Sequence, residues 1–210
     1  MLFHMAGSKA TRAGFVLAGG KSSRMGTDKA FLGFEGQTLL QRALAVVGTV
    51  CDGDYTAIVG DPAKFRRNGV GEEMAVVADI FPGCGPLGGI HAALVASTAE
   101  LNLMLAVDMP FVSSELLQLL FVVAEQSDAL VTVPRAGERL QPLCAVYRRG
   151  FSAVAERALR AEKYKIDAAF SGVEVRVIGA EELAAGGFSE RSFFNVNTPQ
   201  DRATAEGKTL

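Results

Sequence analysis

Short apolar runs alternate along the chain with longer stretches in which apolar residues recur every three or four positions. Residues 13–18 (AGFVLA) form the first run, closed by Gly19-Gly20. A run with no polar alternation is what a strand covered on both faces requires. A polar, glycine-punctuated stretch follows, KSSRMGTDK, then residues 30–34 and a Glu35-Gly36 turn. Thr38 is placed to cap a helix that carries Leu39, Leu40, Leu44 and Val47 on one face. The next strands are predicted over 55–59, ending at Gly60-Asp61-Pro62, and over 74–78, ending at Asp79. A Pro/Gly loop, FPGCGPLGG, leads into a small-residue helix from about 90 to 97. The fourth strand, 101–107, stops at Asp108-Met109-Pro110, and Ser113 caps a helix bearing Leu116, Leu117, Leu120 and Val123. Two strands are expected over 129–133 and 143–147, with a Gly137-Glu138 turn between them. A helix over 151–162, a strand over 173–178 and a helix after Pro199 complete the pattern, proline suiting a first helical turn.

Strands alternating with helices at this spacing predict βαβ units in an α/β fold: a three-layer αβα, Rossmann-like arrangement around an open, mostly parallel sheet. Nothing in the chain reads as a linker, repeat or low-complexity tract, so residues 13–210 are expected to form one domain behind a loose lead-in of residues 1–12. The 210 residues are 49% hydrophobic, ample for a core and incompatible with disorder.

Charge removes several function classes. Lys and Arg total 21 against 23 Asp and Glu, a net charge of −2, so the chain is not built to live on a nucleic-acid backbone. Tryptophan is absent and aromatics are 8%, which leaves little for a single-strand stacking platform. Cys51, Cys84 and Cys144 are odd in number and widely spaced, forming neither a disulfide framework nor a zinc signature. A reducing cytoplasm is the expected compartment. No apolar run approaches the roughly 18 residues of a membrane span, and the lead-in, despite Lys9 and Arg12, lacks the apolar stretch of a secretory signal. The 23 glycines matter more, because they cluster at the ends of apolar runs, where loops approach ligands.

In open α/β sheets the ligand sits outside the carboxyl ends of the strands, near the point where strand order reverses. Four such ends carry suggestive residues: 19–29, Gly60-Asp61, 79–89 and Asp108-Met109-Pro110. The first combines glycines, free amides, Arg24 and Lys29, a composition suited to a triphosphate and equally that of a solvated surface turn. It lacks the GxxxxGK[ST] pattern of a P-loop and the GxGxxG of a dinucleotide fold. Asp108 closes an apolar strand. By itself it reads as a turn or capping residue, whereas facing Arg24 and Lys29 it reads as a ligand for Mg²⁺, which needs only one or two carboxylates plus phosphate oxygens. Asp79 could accept from a ribose, from the adjacent N1 and N2 donors of guanine, or from the backbone of its own turn. His91 and Cys84 read as packing residues, and no nucleophile–base arrangement stands out.

Taken in order and spacing, LAGGKSSRMGTDK (17–29), DIFPGCGPLGGI (79–90), AVDMPF (106–111), QPLCAVY (141–147) and FFNVNTPQD (193–201) resemble the molybdenum cofactor guanylyltransferase family of the nucleotide-diphosphosugar-transferase-like superfamily. The resemblance spans about residues 13 to 205. The first motif alone marks the wider nucleotidyltransferase group, while Gly20 and the FxNVNTPxD segment resemble the guanylyl branch. The resemblance implies transfer of GMP from GTP to the terminal phosphate of the molybdopterin cofactor, with pyrophosphate leaving. It implies GTP contacts at Leu17, Ala18, Gly19, Lys29, Asp79 and Asp108, with Mg²⁺ (or Mn²⁺) on Asp108. Arg24 and Lys29 are expected on the triphosphate. Asn197 is expected on the metal side and Asn195 nearer the pterin, and both are also simple turn formers before Pro199. Gly60 occupies a nucleotide-contacting loop in relatives, and Lys163-Tyr164-Lys165 falls where relatives place basic residues toward the pterin. A monomer is expected, with transient contacts to proteins that deliver and collect the cofactor. The competing expectations are a cytidylyl- or sugar-phosphate nucleotidyltransferase on the same scaffold, and a non-catalytic nucleotide-binding module.

Overall fold

The computed structural model describes residues 11–19, 28–51, 56–72 and 74–207. Strand β1 (Arg12–Leu17) enters the sheet first. Residues 1–10 of the expected lead-in, together with Gly20 and Arg24, lie outside the described residues. Thr11 and Arg12 already belong to the sheet: the Thr11 carbonyl accepts from the Leu101 amide, and Arg12, 3% exposed, pairs with Glu125.

A single 3₁₀ turn (Lys29–Phe31) precedes the hairpin β2 (Gly33–Phe34) and β3 (Gln37–Thr38), and helix α1 (Leu39–Gly48) starts as expected at Thr38. The Thr38 hydroxyl accepts from the Gln41 amide while the Gln41 side chain accepts from the Thr38 amide, a reciprocal capping box. β4 (Thr56–Val59), α2 (Pro62–Arg67), β5 (Ala75–Val77), α3 (Pro86–Ala96), β6 (Leu101–Ala106) and α4 (Ser114–Glu125) follow. The remaining elements are β7 (Val131–Ala136), β8 (Arg139–Leu140), β9 (Cys144–Arg148), α5 (Phe151–Arg160), α6 (Ile166–Ala169), β10 (Val175–Ile178), α7 (Ala180–Ala185) and α8 (Pro199–Ala205).

The main sheet runs β10-β7-β9-β6-β1-β4-β5, with β8 added to β7. β6, β1, β4 and β5 are mutually parallel, as are β10 and β7. β9 is antiparallel to both its neighbours. The mostly parallel sheet expected from the sequence is therefore present, carrying one reversed strand. Alternation along β1 divides the core. Val16 and Ala18 pack with α1 and α4 residues such as Leu39, Leu40, Leu116 and Leu120, while Ala13 and Phe15 pack with α3 and α5 residues such as Leu87, Ile90 and Phe151. The chain winds from β1 out to β5 and returns across β1 to β6, so strand order reverses beside β1.

Two boundaries correct the sequence reading. α3 begins at Pro86, not near 90, because Gly85 adopts a left-handed φ of 69° and Pro86 takes the first helical position. The glycines that made this stretch read as loop are helical because there is no room for larger residues: a Cβ on Gly88 would stand 3.0 Å from the Phe81 carbonyl. The second correction concerns Gly60-Asp61-Pro62, read as a closing turn. Asp61 accepts from the Ala63 amide and caps α2, and Phe65 is fully buried beneath it. The short helices α6 and α7 were also not anticipated. Among the described residues, no helix is long and apolar enough to cross a membrane.

Candidate active site

The carboxyl ends of β1, β4 and β6, and the turn beyond β5, open onto a cleft of about 630 Å³, within the size range of small-molecule sites. Ladder bonds continue past the strand ends and fix its floor. The Ala18 amide donates to the Val59 carbonyl at 3.0 Å, the Val107 amide to Leu17 at 3.2 Å and the Gly60 amide to Val77 at 2.9 Å. Leu17, Ala18 and Gly19 line one part of the cleft, and Gly83, Gly85, Pro86 and Gly89 line another. A Cβ on Gly89 would meet Val59 Cγ1 at 3.4 Å and Asp79 Oδ1 at 3.8 Å, so the bare backbone of α3 forms a wall there.

Three sequence-distant segments meet at the β6 end. Lys29 Nζ lies 3.3 Å from Asp108 Oδ2 and donates to Asn197 Oδ1 at 2.5 Å. The Val196 amide donates to the Asp108 carbonyl at 2.8 Å, and Asp201 Oδ2 accepts from the amides of Asn197 and Thr198, both at 2.8 Å. The segment before α8 is thus tied both to its own helix and to the Asp108 turn. Asp79 lines the cleft without a hydrogen-bond or ion-pair partner among the described residues, and partial burial raises its carboxyl above the ordinary value.

Leu17, Ala18, Gly19, Lys29, Asp79 and Asp108 all line this cleft. Arg24 lies outside the described residues. Asn197 reaches the cleft through Lys29. The Asn195 amide instead donates to the Phe193 carbonyl at 3.2 Å, and neither Asn195 nor Gly60 is among the lining residues. Gly60 lies behind Gly19. His91 is 3% exposed, packs edge-on against Phe81 at 5.2 Å and is shifted down by burial, while Cys84 is half-buried beside the Pro82 carbonyl. Lys163-Tyr164-Lys165 follows α5 and does not line the cleft.

Two residues escaped the sequence reading. Asp28 lines the cleft and caps the 3₁₀ turn that carries Lys29, accepting from the Ala30 amide at 3.0 Å. Lys64, on α2, donates to the Ala18 carbonyl at 2.8 Å and pairs with Asp28 Oδ2 at 2.7 Å. The Asp-Pro start signal of α2 was the available clue to Lys64.

The donor set was tested for a divalent cation. Among the described residues no group of three or more His, Cys, Asp or Glu could hold a metal. Asp108 alone offers one hard oxygen donor group at the cleft. That suits a hard cation whose remaining ligands are phosphate oxygens and water, not one caged by protein.

Residues 14–172 match the MobA-like NTP transferase domain. The chain belongs to the MobA-like NTP transferase family. It is 40% identical over 192 residues to a probable molybdenum cofactor guanylyltransferase of Pelotomaculum thermopropionicum, covering 91% of this chain and 90% of the relative. It is 34% identical over 194 residues to the molybdenum cofactor guanylyltransferase of Desulfosudis oleivorans, covering 92% and 93%. Among solved structures it resembles the molybdopterin-guanine dinucleotide biosynthesis protein A of Archaeoglobus fulgidus, with TM-score 0.81, 28% identity and coverage of 94% and 97%. The MobA-like fold also matches the 4-diphosphocytidyl-2C-methyl-D-erythritol synthase of Anaerococcus prevotii, with TM-score 0.69 and coverage of 95% and 96%, but at 15% identity this likeness shows the fold alone.

Proposed function

We infer that the protein transfers GMP from GTP to the terminal phosphate of the molybdopterin cofactor, releasing pyrophosphate and forming the guanine dinucleotide of that cofactor. The observation that carries this reading is the meeting of Lys29, Asp108 and Asn197 at one end of a cleft that Asp79, unpartnered, also lines. The relatives named as guanylyltransferases, at 40% and 34% identity, support the choice of base and acceptor.

The chemistry follows from charge. The acceptor is a phosphate monoester whose second pKa is about 6, so at neutral pH it attacks without a general base. An acceptor oxygen forms a bond to the α-phosphorus of GTP, the bond from that phosphorus to the bridging oxygen breaks, and pyrophosphate leaves with the electron pair. What the protein must supply is alignment and positive charge, as in other phosphoryl transfers. In this reading Lys29, with Arg24, binds the triphosphate, and the amides of Leu17, Ala18 and Gly19 approach the nucleotide. Asp108 would hold Mg²⁺, or Mn²⁺, which when bound with GTP neutralises phosphate charge. Asn197 orients Lys29, and Asn195 stands nearer the pterin. Asp79 accepts from N1 and N2 of guanine, and a base lacking that donor pair would leave its carboxylate unsatisfied. We propose that the chain acts as a monomer of a single domain. Transient contacts with cofactor-delivering and cofactor-accepting proteins suit a labile product, and a reducing cytoplasm suits three free thiols.

A thermal-shift panel of GTP, CTP, UTP, ATP and dTTP, each with and without Mg²⁺, tests the base. A native-state ligand raises apparent stability in proportion to ln(1 + [L]/Kd), and GTP with Mg²⁺ should give the largest rise. Pyrophosphate should then appear only when the molybdopterin cofactor is added. A larger shift with CTP would transfer the chain to the cytidylyl branch, and binding without pyrophosphate release would mark a non-catalytic module.

A further inference from the structure

The described lining of the cleft holds three carboxylates, Asp28, Asp79 and Asp108, against one cation, Lys29. A site for a polyanion needs the opposite balance. Asp108 is matched by Lys29 at 3.3 Å. Asp28 is matched by Lys64, which is held from below: its ammonium sits 4.7 Å from the ring centroid of Phe65, itself fully buried. With side chains 17% and 25% exposed, Lys64 and Asp28 are screened less than a surface pair would be.

The same ammonium takes a second acceptor, the Ala18 carbonyl at 2.8 Å, so it joins the end of β1 to Asp28. Asp28 is bonded at both oxygens, Oδ2 to Lys64 and Oδ1 to the Ala30 amide, which opens the turn that carries Lys29. A continuous set of hydrogen bonds therefore runs from α2 through Asp28 to the backbone of Lys29, and from Lys29 to Asp108 and Asn197.

We propose that Lys64 is a positioning residue for the triphosphate. It neutralises Asp28 where a polyanion must approach and, through Asp28, orients Lys29. This rests on the reading that the cleft binds a nucleoside triphosphate, but it concerns the phosphate end only and is indifferent to the base.

The test uses Lys64→Met, which keeps an unbranched apolar stem over Phe65 and removes the charge, together with Lys64→Arg, Asp28→Asn and the double variant Lys64→Met/Asp28→Asn. Binding of GTP, CTP and inorganic tripolyphosphate, each with Mg²⁺, is measured by calorimetry on the full chain. Lys64→Met should weaken all three by a similar factor, about tenfold and up to about a hundredfold. Lys64→Arg should recover most of that loss. In the Asp28→Asn background the Lys64→Met change should cost several-fold less, because no carboxylate then needs neutralising. A structural ion pair would lower Tm equally in both backgrounds and leave affinity unchanged. Tripolyphosphate binding within about twofold of the parent in Lys64→Met, or an equal loss in the Asp28→Asn background, overturns the proposal. If Lys64→Met does not fold, Lys64→Arg and Asp28→Asn decide: unchanged triphosphate affinity in Asp28→Asn, with Lys29 no longer held, also overturns it. The GTP-to-CTP ratio of the parent protein tests the guanylyl reading separately. A parent that binds none of the three overturns both.

Discussion

At the scale of single residues, the cleft keeps one carboxylate in a costly state. Asp79 is partly buried, faces no cation and accepts no hydrogen bond among the described residues, and burial raises its carboxyl above the ordinary value. A carboxyl whose folded pKa is raised costs stability once ionised. The cost is present above the folded pKa, fades as pH falls through it, and is gone below the unfolded value near 3.8. Asp79→Asn should therefore raise Tm at neutral pH, with the gap to the parent closing as the solution is acidified. The same substitution should erode the preference for GTP over other triphosphates, since an amide cannot accept from two adjacent donors. A melting series across pH, run beside the nucleotide panel, checks both. A variant melting below the parent at neutral pH would mean Asp79 has a partner in the folded state, and unchanged selectivity would move base recognition to the backbone amides. Lys29 shows the opposite arrangement, a charge already shared between Asp108 and Asn197 before any phosphate arrives.

At the scale of elements, the apolar runs made β1, β4, β5 and β6 legible, because strands covered on both faces leave no other pattern. With them came Asp79 and Asp108, which stand just beyond the ends of apolar runs. What escaped was helix carried by loop-like residues. Pro86-Leu87-Gly88-Gly89 is helical because tertiary contact with Phe81 demands small residues, and composition cannot report that contact. α2 spans six residues, too short for periodicity to show, and with it Lys64 was overlooked. Asn195 and Asn197 look alike in sequence, and only the fold separates them, one bonded back to Phe193 and the other to Lys29. Close packing of α1 on β1 has its own signature in Gly14. A Cβ there would lie 2.1 Å from Val47 Cγ1 and 2.7 Å from Cys51 Sγ. Gly14→Ala should cost about 1–3 kcal/mol in urea unfolding, the usual penalty of overpacking a fitted interface. Adding Val47→Ala should return part of that loss, since the two side chains compete for one space. Additive costs from the pair would place the strain elsewhere.

At the scale of the whole molecule, the cleft is assembled from both ends of the chain. Its floor comes from β1, β4 and β6 in the first half, yet Lys29 is held by Asn197 and the Asp108 carbonyl by the Val196 amide. Phe193 and Val196 are buried in the same core as α1 and α4, and Thr198 caps α8 with Asp201 in reciprocal bonds, so this segment is held at both ends. Ligand binding at the β6 end should consequently stiffen a segment some 90 residues further along the chain than Asp108. Hydrogen exchange reads this directly, because the Val196 amide exchanges only when its bond to the Asp108 carbonyl opens. Saturating GTP with Mg²⁺ should slow exchange across 193–198 by several-fold or more, alongside 17–19 and 79–89, while the α5 and α6 amides change little. Asn197→Ala should reduce the added protection at Val196 without abolishing that at 17–19, since only one of the two ties is cut. Protection confined to the first half of the chain would show that the C-terminal segment only supports the fold, and that the site is complete without it.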